Sequence, residues 1–109
     1  WVQAQLPADC SVEWKGHGNS PAGVMQIDHP AFEAARAALS EEWGKAAAYV
    51  GCGGSIPIAG YFKTYLGMDA ILLGFGRDDD QIHSPNEKYD LECYHKGIRS
   101  WARLLARLV

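Results

Sequence analysis

Two loops of this chain combine residue types that could do chemistry. In the first, Gly51-Cys52-Gly53-Gly54-Ser55-Ile56-Pro57, glycines let the backbone approach a ligand closely. A helix starting at Pro57 would aim its orphan amides outward with partial positive charge, so this turn could hold a carboxylate or phosphate. Ser55 would add a hydroxyl donor. It is no dinucleotide fingerprint, because Ile56 stands where a third glycine is needed. A tight turn that binds nothing suits the same spacing. In the second loop His83 follows Asp78, Asp79 and Asp80 and precedes Ser84-Pro85-Asn86-Glu87. Neutral imidazole is the commonest metal ligand, and carboxylate or amide neighbours are what orient one. The competing reading is a solvated acidic turn carrying a surface histidine.

The remaining histidines offer less. His17 lies in a glycine-rich stretch, His29 at a helix start and His95 within the last helix, and no pair has the i, i+4 spacing of a helical zinc site. His17 stays of interest because linkers between domains often face a cleft. Cys52 with His83 allows a thiol-nucleophile reading, against the commoner role of a small buried residue.

The elements that must position these loops follow from periodicity and punctuation. Cys10-Ser11-Val12-Glu13-Trp14-Lys15 alternates polar and apolar residues, the mark of a half-buried edge strand. Residues 16–27 are rich in Gly, Asn, Ser and Pro, which places a boundary near Gly18 and separates residues 1–18 from 19–109. Asp28-His29-Pro30 reads as a helix start with Asp28 as the cap, followed by Phe32, Ala35, Leu39 and Trp43 at helical spacing and Gly44 as a stop. Ala46–Val50 reads as a strand, Pro57–Leu66 as a helix stopped by Gly67, and Ala70–Phe75 as a strand buried on both faces. Asp90 would cap a last helix whose apolar stripe is Tyr94, Ile98, Trp101, Leu105 and Leu108. This rhythm implies a layered α/β domain with parallel pairing. In such a sheet, ligands gather beyond the carboxyl ends of the strands, where both loops fall.

Composition bounds the class. At 109 residues the chain is one domain's worth, and 48% apolar with 21% charged residues is ordinary for a globular protein. A net charge of −3 argues against a nucleic-acid binder, which would show a basic stripe. No apolar run approaches the roughly 20 residues of a membrane span. The three cysteines are far apart, with neither a disulfide framework nor a thiolate zinc site in view, which points to a reducing, cytoplasmic compartment. The opening Trp1-Val2-Gln3-Ala4-Gln5-Leu6 reads like the tail of an element already under way, so an excised segment is expected.

The string GGSIPIAGYFKTYLGMDAILLGFGRDDDQIHSPNEKYD, Gly53 to Asp90, resembles the C-terminal part of the zinc-dependent aminoacylase and carnosinase-like metallopeptidases. That family includes dipeptidases, glutamate carboxypeptidase, acetylornithine deacetylase and succinyl-diaminopimelate desuccinylase. The likeness extends more loosely over the whole chain, with Trp14-Lys15-Gly16-His17-Gly18 resembling the exit strand of a lid or dimerisation domain. The resemblance implies a two-domain amidohydrolase in which a zinc pair, or cobalt or manganese, polarises the scissile carbonyl and activates a water. It implies His83 as a metal ligand, Gly54 and Ser55 as the turn that binds the substrate's free carboxylate, and Asn86 and Glu87 as residues orienting the ligand loop. No catalytic residue is expected within the segment itself.

Expected partners are therefore a dipeptide or N-acyl amino acid, the remainder of the chain's own catalytic domain and a second copy in a homodimer, with no nucleic acid and no membrane. The family's other ligands and its general base precede the lid domain. A single imidazole does not hold a catalytic zinc pair, so the segment alone should be inactive. Where Cys52 stands, dipeptidases usually carry an acidic residue, and where Gln81 and Ile82 stand, small ones, which leaves the substrate open. Two rivals remain at this stage: a non-catalytic binding or dimerisation module on the same fold, and a thiol hydrolase using Cys52 and His83.

Overall fold

The computed structural model describes residues 1–17, 22–53 and 56–109. A short 3₁₀ turn, Val2–Gln5, precedes helices α1 (Pro30–Trp43), α2 (Pro57–Leu66) and α3 (Leu91–Leu108). Proline opens α1 and α2, where its missing N–H costs nothing. Gly44 and Gly67 close them at φ 65°, a left-handed conformation that glycine adopts without a Cβ penalty. Asp28 is not the cap of α1. That position belongs to His29, whose Nδ1 accepts the Ala31 amide at 3.2 Å.

Helices α1 and α3 are the only pair packed on one another among the described residues. Their seam is narrow, formed by Ala35, Ala38 and Leu104, with Ala34, Ile71 and Leu73 laid against it. Leu104, 2% exposed, contributes roughly 1.5–3 kcal/mol, whereas each alanine offers only a methyl group. Beside them Trp43 stacks on Phe75 with ring centroids 6.3 Å apart. Its indole N–H donates to the fully buried Ser100 hydroxyl at 3.2 Å, and the Lys96 ammonium lies 5.0 Å from the ring centroid. Gly97 of α3 makes room for Phe75: a Cβ there would come within 3.2 Å of the Phe75 ring.

Charged residues flank the seam. Arg99 and Arg103 both bind the Glu42 carboxylate, at 2.6 and 3.0 Å, and Arg103 and Arg107 both bind Glu41. The two guanidiniums, Arg103 first and then Arg99, hold the Glu42 carboxyl below the usual range.

The expected strands do not form. Among the described residues no strand is present; Cys10–Lys15, Ala46–Val50 and Ala70–Phe75 run without ladder partners. The edge strand expected as the end of a lid domain is thus a correction, and so is the parallel pairing within this chain. A strand exists only when a neighbour takes its backbone N–H and C=O groups, and here no two such segments pair. Nor is residue range 70–75 buried on both faces: Ile71, Leu73 and Phe75 turn inward while Leu72 is 55% exposed. The Ser40 hydroxyl accepts the Ala47 amide at 2.9 Å, which ties residues 46–50 to the end of α1.

The last helix reverses its expected orientation. Its buried face is Cys93, Gly97, Ser100 and Leu104, while Tyr94, Ile98, Trp101, Leu105 and Leu108 are all exposed. Helix α2 likewise buries only Ala59 and leaves Ile58, Tyr61, Phe62, Tyr65 and Leu66 at the surface. The radius of gyration, 18.9 Å, exceeds the roughly 13 Å of a compact domain of this length.

Glu42 yields a test with a definite sign. Its carboxyl is depressed in the folded state, so its stabilisation is complete above its ordinary value of 4.5 and is lost as pH falls through the lower folded value. Glu42→Gln should lower the melting temperature at pH 7 by about a few degrees, and thermal melts of parent and variant should converge on acidification below that window.

Candidate functional site

The His83 loop is built from one buried carboxylate outward. Asp80 is 2% exposed, and its side chain accepts the Arg77 amide at 2.8 Å and the Lys88 ammonium at 3.2 Å. Its backbone closes the loop at both sides: the Asp80 amide donates to the Arg77 carbonyl at 3.1 Å, and the Asp80 carbonyl accepts the Lys88 amide at 3.0 Å. Between these ties the chain folds on itself. The Ser84 amide and hydroxyl both donate to the Gln81 carbonyl, at 3.0 and 2.5 Å, and the Glu87 amide donates to the Ser84 carbonyl at 3.3 Å.

This closure forces left-handed backbone at Gln81 (φ 52°), His83 (φ 64°) and Asn86 (φ 63°). Asparagine tolerates that region and histidine visits it more than most residues, but glutamine has no such excuse. Strain of this sort persists only where surrounding bonds over-determine it, and it concentrates at functional sites. Gly76 allows the fold to close, since a Cβ on it would lie 3.3 Å from the Asp80 carboxylate.

Electrostatics hold the loop on α3. Arg77 places Nε 3.3 Å from the buried Cys93 thiol and 3.2 Å from Asp90, and Nη2 2.7 Å from Glu92. Lys88 reaches Asp79, Asp80 and Asp90, at 3.1, 3.2 and 3.2 Å. The Asp80 carboxyl is held low, first by the Arg77 amide and then, against partial burial, by Lys88; Lys88 is pushed up, most of all by Asp79. Asp90 occupies the first flanking position of α3 but makes no capping bond with its side chain. Its carboxylate serves Arg77 and Lys88 instead.

The residues singled out from sequence fall as follows. His83, Asn86 and Glu87 share this loop and are exposed. Gly54 and Ser55 lie outside the described residues. The imidazole is not enclosed in a cleft made by this chain: a shallow depression runs beside it along Gly76, Asp80, Ile82, Glu87, Lys88 and Tyr89 without including it. Among the described residues the one cluster of metal-competent side chains is Asp79, Asp80 and Asp90, and Lys88 already sits within bonding distance of all three. His17 and Cys52 are exposed. His83 is therefore an exposed imidazole on a braced loop.

Sequence reasoning counted Asp79 and Asp80 among the carboxylates that could orient an imidazole, beside the rival reading of a solvated run, but missed Arg77 and Lys88 as the cations that brace the loop. Opposite charges on both sides of that run, at Arg77 and Lys88, were the available signal. The loop's strain can be probed directly. Gln81→Val puts a β-branched residue at φ 52° and should cost about 1–3 kcal/mol in a denaturant titration, whereas Gln81→Gly should escape that cost.

Comparison with known proteins gives matches over most of the chain. The model described as Peptidase family M20/M25/M40 matches residues 5–107. The Cys-Gly metallodipeptidase of Candida albicans is 42% identical over 69 residues, which is 63% of this chain and 14% of that protein. Its counterpart in Schizosaccharomyces pombe is 39% identical over 76 residues, 70% of this chain and 16% of that protein. A human Beta-Ala-His dipeptidase is 30% identical over 79 residues, again 16% of its length. The aligned stretch thus spans about one sixth of each curated relative. No solved structure matches significantly.

Proposed function

We propose, from the premise that this chain belongs to Peptidase family M20/M25/M40, that it is the C-terminal segment of a zinc-dependent dipeptidase whose other metal ligands and general base lie elsewhere in the complete protein. The observation that carries the reading is the family match itself, which runs unbroken through the His83 loop. Its relatives include proteins named for Cys-Gly and for Beta-Ala-His. Dipeptides of either kind end in a free carboxylate, so the substrate class is a small peptide or N-acyl amino acid so terminated.

One exposed imidazole on a fixed loop matches the donor chemistry of zinc, and a catalytic zinc takes about three protein ligands, so this chain supplies one of several. When bound, a zinc pair supplies Lewis-acid polarisation of the scissile carbonyl and a water acidic enough to attack at neutral pH. The His83 ring would offer a nitrogen lone pair in a direction set by the left-handed backbone beneath it. Asn86 and Glu87 follow three and four residues on in the same loop, and their role in this reading is to orient the ring. Gly54 and Ser55 hold the substrate's carboxylate with amide and hydroxyl donors at the start of α2, fixing the distance between the bound end and the bond to be cut.

The uncovered apolar faces of α2 and α3, with Leu72 between the helices in sequence, support docking of this segment on the remainder of its own catalytic domain. Residues 1–18 then end a lid or dimerisation domain and residues 19–109 belong to the catalytic domain, in a homodimer of the cytoplasm. No helix among the described residues is long and apolar enough to cross a membrane.

In the complete protein, His83→Ala should remove one zinc per subunit by elemental analysis and reduce turnover by at least about 100-fold. Ser55→Ala should raise KM for dipeptides about tenfold and leave kcat near the parent value. Normal zinc content and hydrolysis in both variants would refute the assignment. The isolated segment should show no chelator-sensitive hydrolysis.

A further inference from the structure

We infer that Asp80, clamped by Lys88, is a positioning residue that sets the pose of His83, an inference that rests on the zinc-dipeptidase reading above. Asp80 touches neither substrate nor metal in this scheme. Its effect passes through the backbone. The carboxylate fixes the Arg77 amide, the carbonyl fixes the Lys88 amide, and the Lys88 side chain returns to the same carboxylate, so the residues between 80 and 88 form a closed ring of bonds. His83 stands within that ring, in left-handed backbone that it would leave if the ring opened.

The burial is what makes the role specific. Of the aspartates in the run, Asp79 is exposed and Asp80 is 2% exposed, so only Asp80 has its carboxylate enclosed with bonded partners. A solvated acidic turn would need none of this. A metal-loop histidine needs it, because a ligand held in place before the ion arrives forfeits no conformational freedom on binding. Lys88 lies within bonding distance of all three carboxylates of the acidic cluster and, with Arg77 on Asp90, offsets much of their charge, so the cluster competes less with His83 for the ion.

The test uses the complete protein and zinc alone as probe, titrated against a competing chelator. Asp80→Ala should raise the apparent zinc dissociation constant about 10–100-fold, and saturating zinc should restore kcat with KM unchanged. Lys88→Met should shift zinc binding in the same direction by a smaller factor, and Lys88→Arg should return it toward the parent value. Exchange of the Lys88 amide with solvent should quicken in Asp80→Ala. A merely structural role would lower the melting temperature and leave the zinc titration in place. Parent-like zinc binding in Asp80→Ala, with Lys88 amide exchange accelerated, overturns the inference. If Asp80→Ala fails to fold, parent-like zinc binding in Lys88→Met overturns it. A His83→Ala protein that binds zinc like the parent refutes the metal-ligand reading itself, which separates the two failures.

Discussion

Arg77 is the joint on which the functional half of this chain turns. Its guanidinium donates at once to the Cys93 thiol and to Glu92 on α3, and lies 3.2 Å from Asp90, while its own amide is bound by Asp80. Such a forked donor suits this place because it can satisfy several acceptors in one plane, which a lysine cannot. The consequence is mechanical. Helix α3 is fixed on α1 by Leu104 and by the Glu41 and Glu42 clamps, the start of α3 is fixed to Arg77, and the loop carrying His83 hangs from Arg77 and Lys88. Displacing α3 by even a small amount would therefore move the imidazole.

The parts legible in sequence were those whose causes are local. Pro30, Gly44, Pro57 and Gly67 each dictate a backbone conformation within their own turn, and the helices begin and end at those residues. The strands were misread because pairing is not local. Period-two alternation at Cys10–Lys15 and the apolar run at Ala70–Phe75 describe a face that could be buried, but a ladder needs a second chain segment at the right distance. The α3 stripe failed for a related reason. Tyr94, Ile98, Trp101, Leu105 and Leu108 make the more apolar side, yet α1 presents a narrow alanine seam lined by glutamates, and what fits it is the face with Gly97, Ser100, Leu104 and the arginines. Close approach and charge matching selected the face, not mean apolarity.

The candidate site was legible in type and not in construction. An imidazole among carboxylates, ahead of Asn86 and Glu87, named the residues that could meet a metal. Nothing in composition separates Asp79 from Asp80, although one is solvated and the other enclosed, because that difference is made by Gly76 leaving room and by Lys88 arriving from eight residues away. Left-handed backbone at Gln81 and His83 is equally invisible beforehand, since neither residue is one that signals it as glycine would.

The surface closes the physical case. An isolated 109-residue domain would gather its large side chains into one core, yet here Trp101, Leu105, Tyr65, Leu66 and Leu72 are all among the exposed ones. Apolar area in water costs roughly 25 cal/mol per Å², so faces this extensive mark sites of association. They lie on the outer sides of α2 and α3 and on the outward residue of an unpaired extended segment. An unpaired extended segment and two helical faces, open together, are surfaces that association would cover.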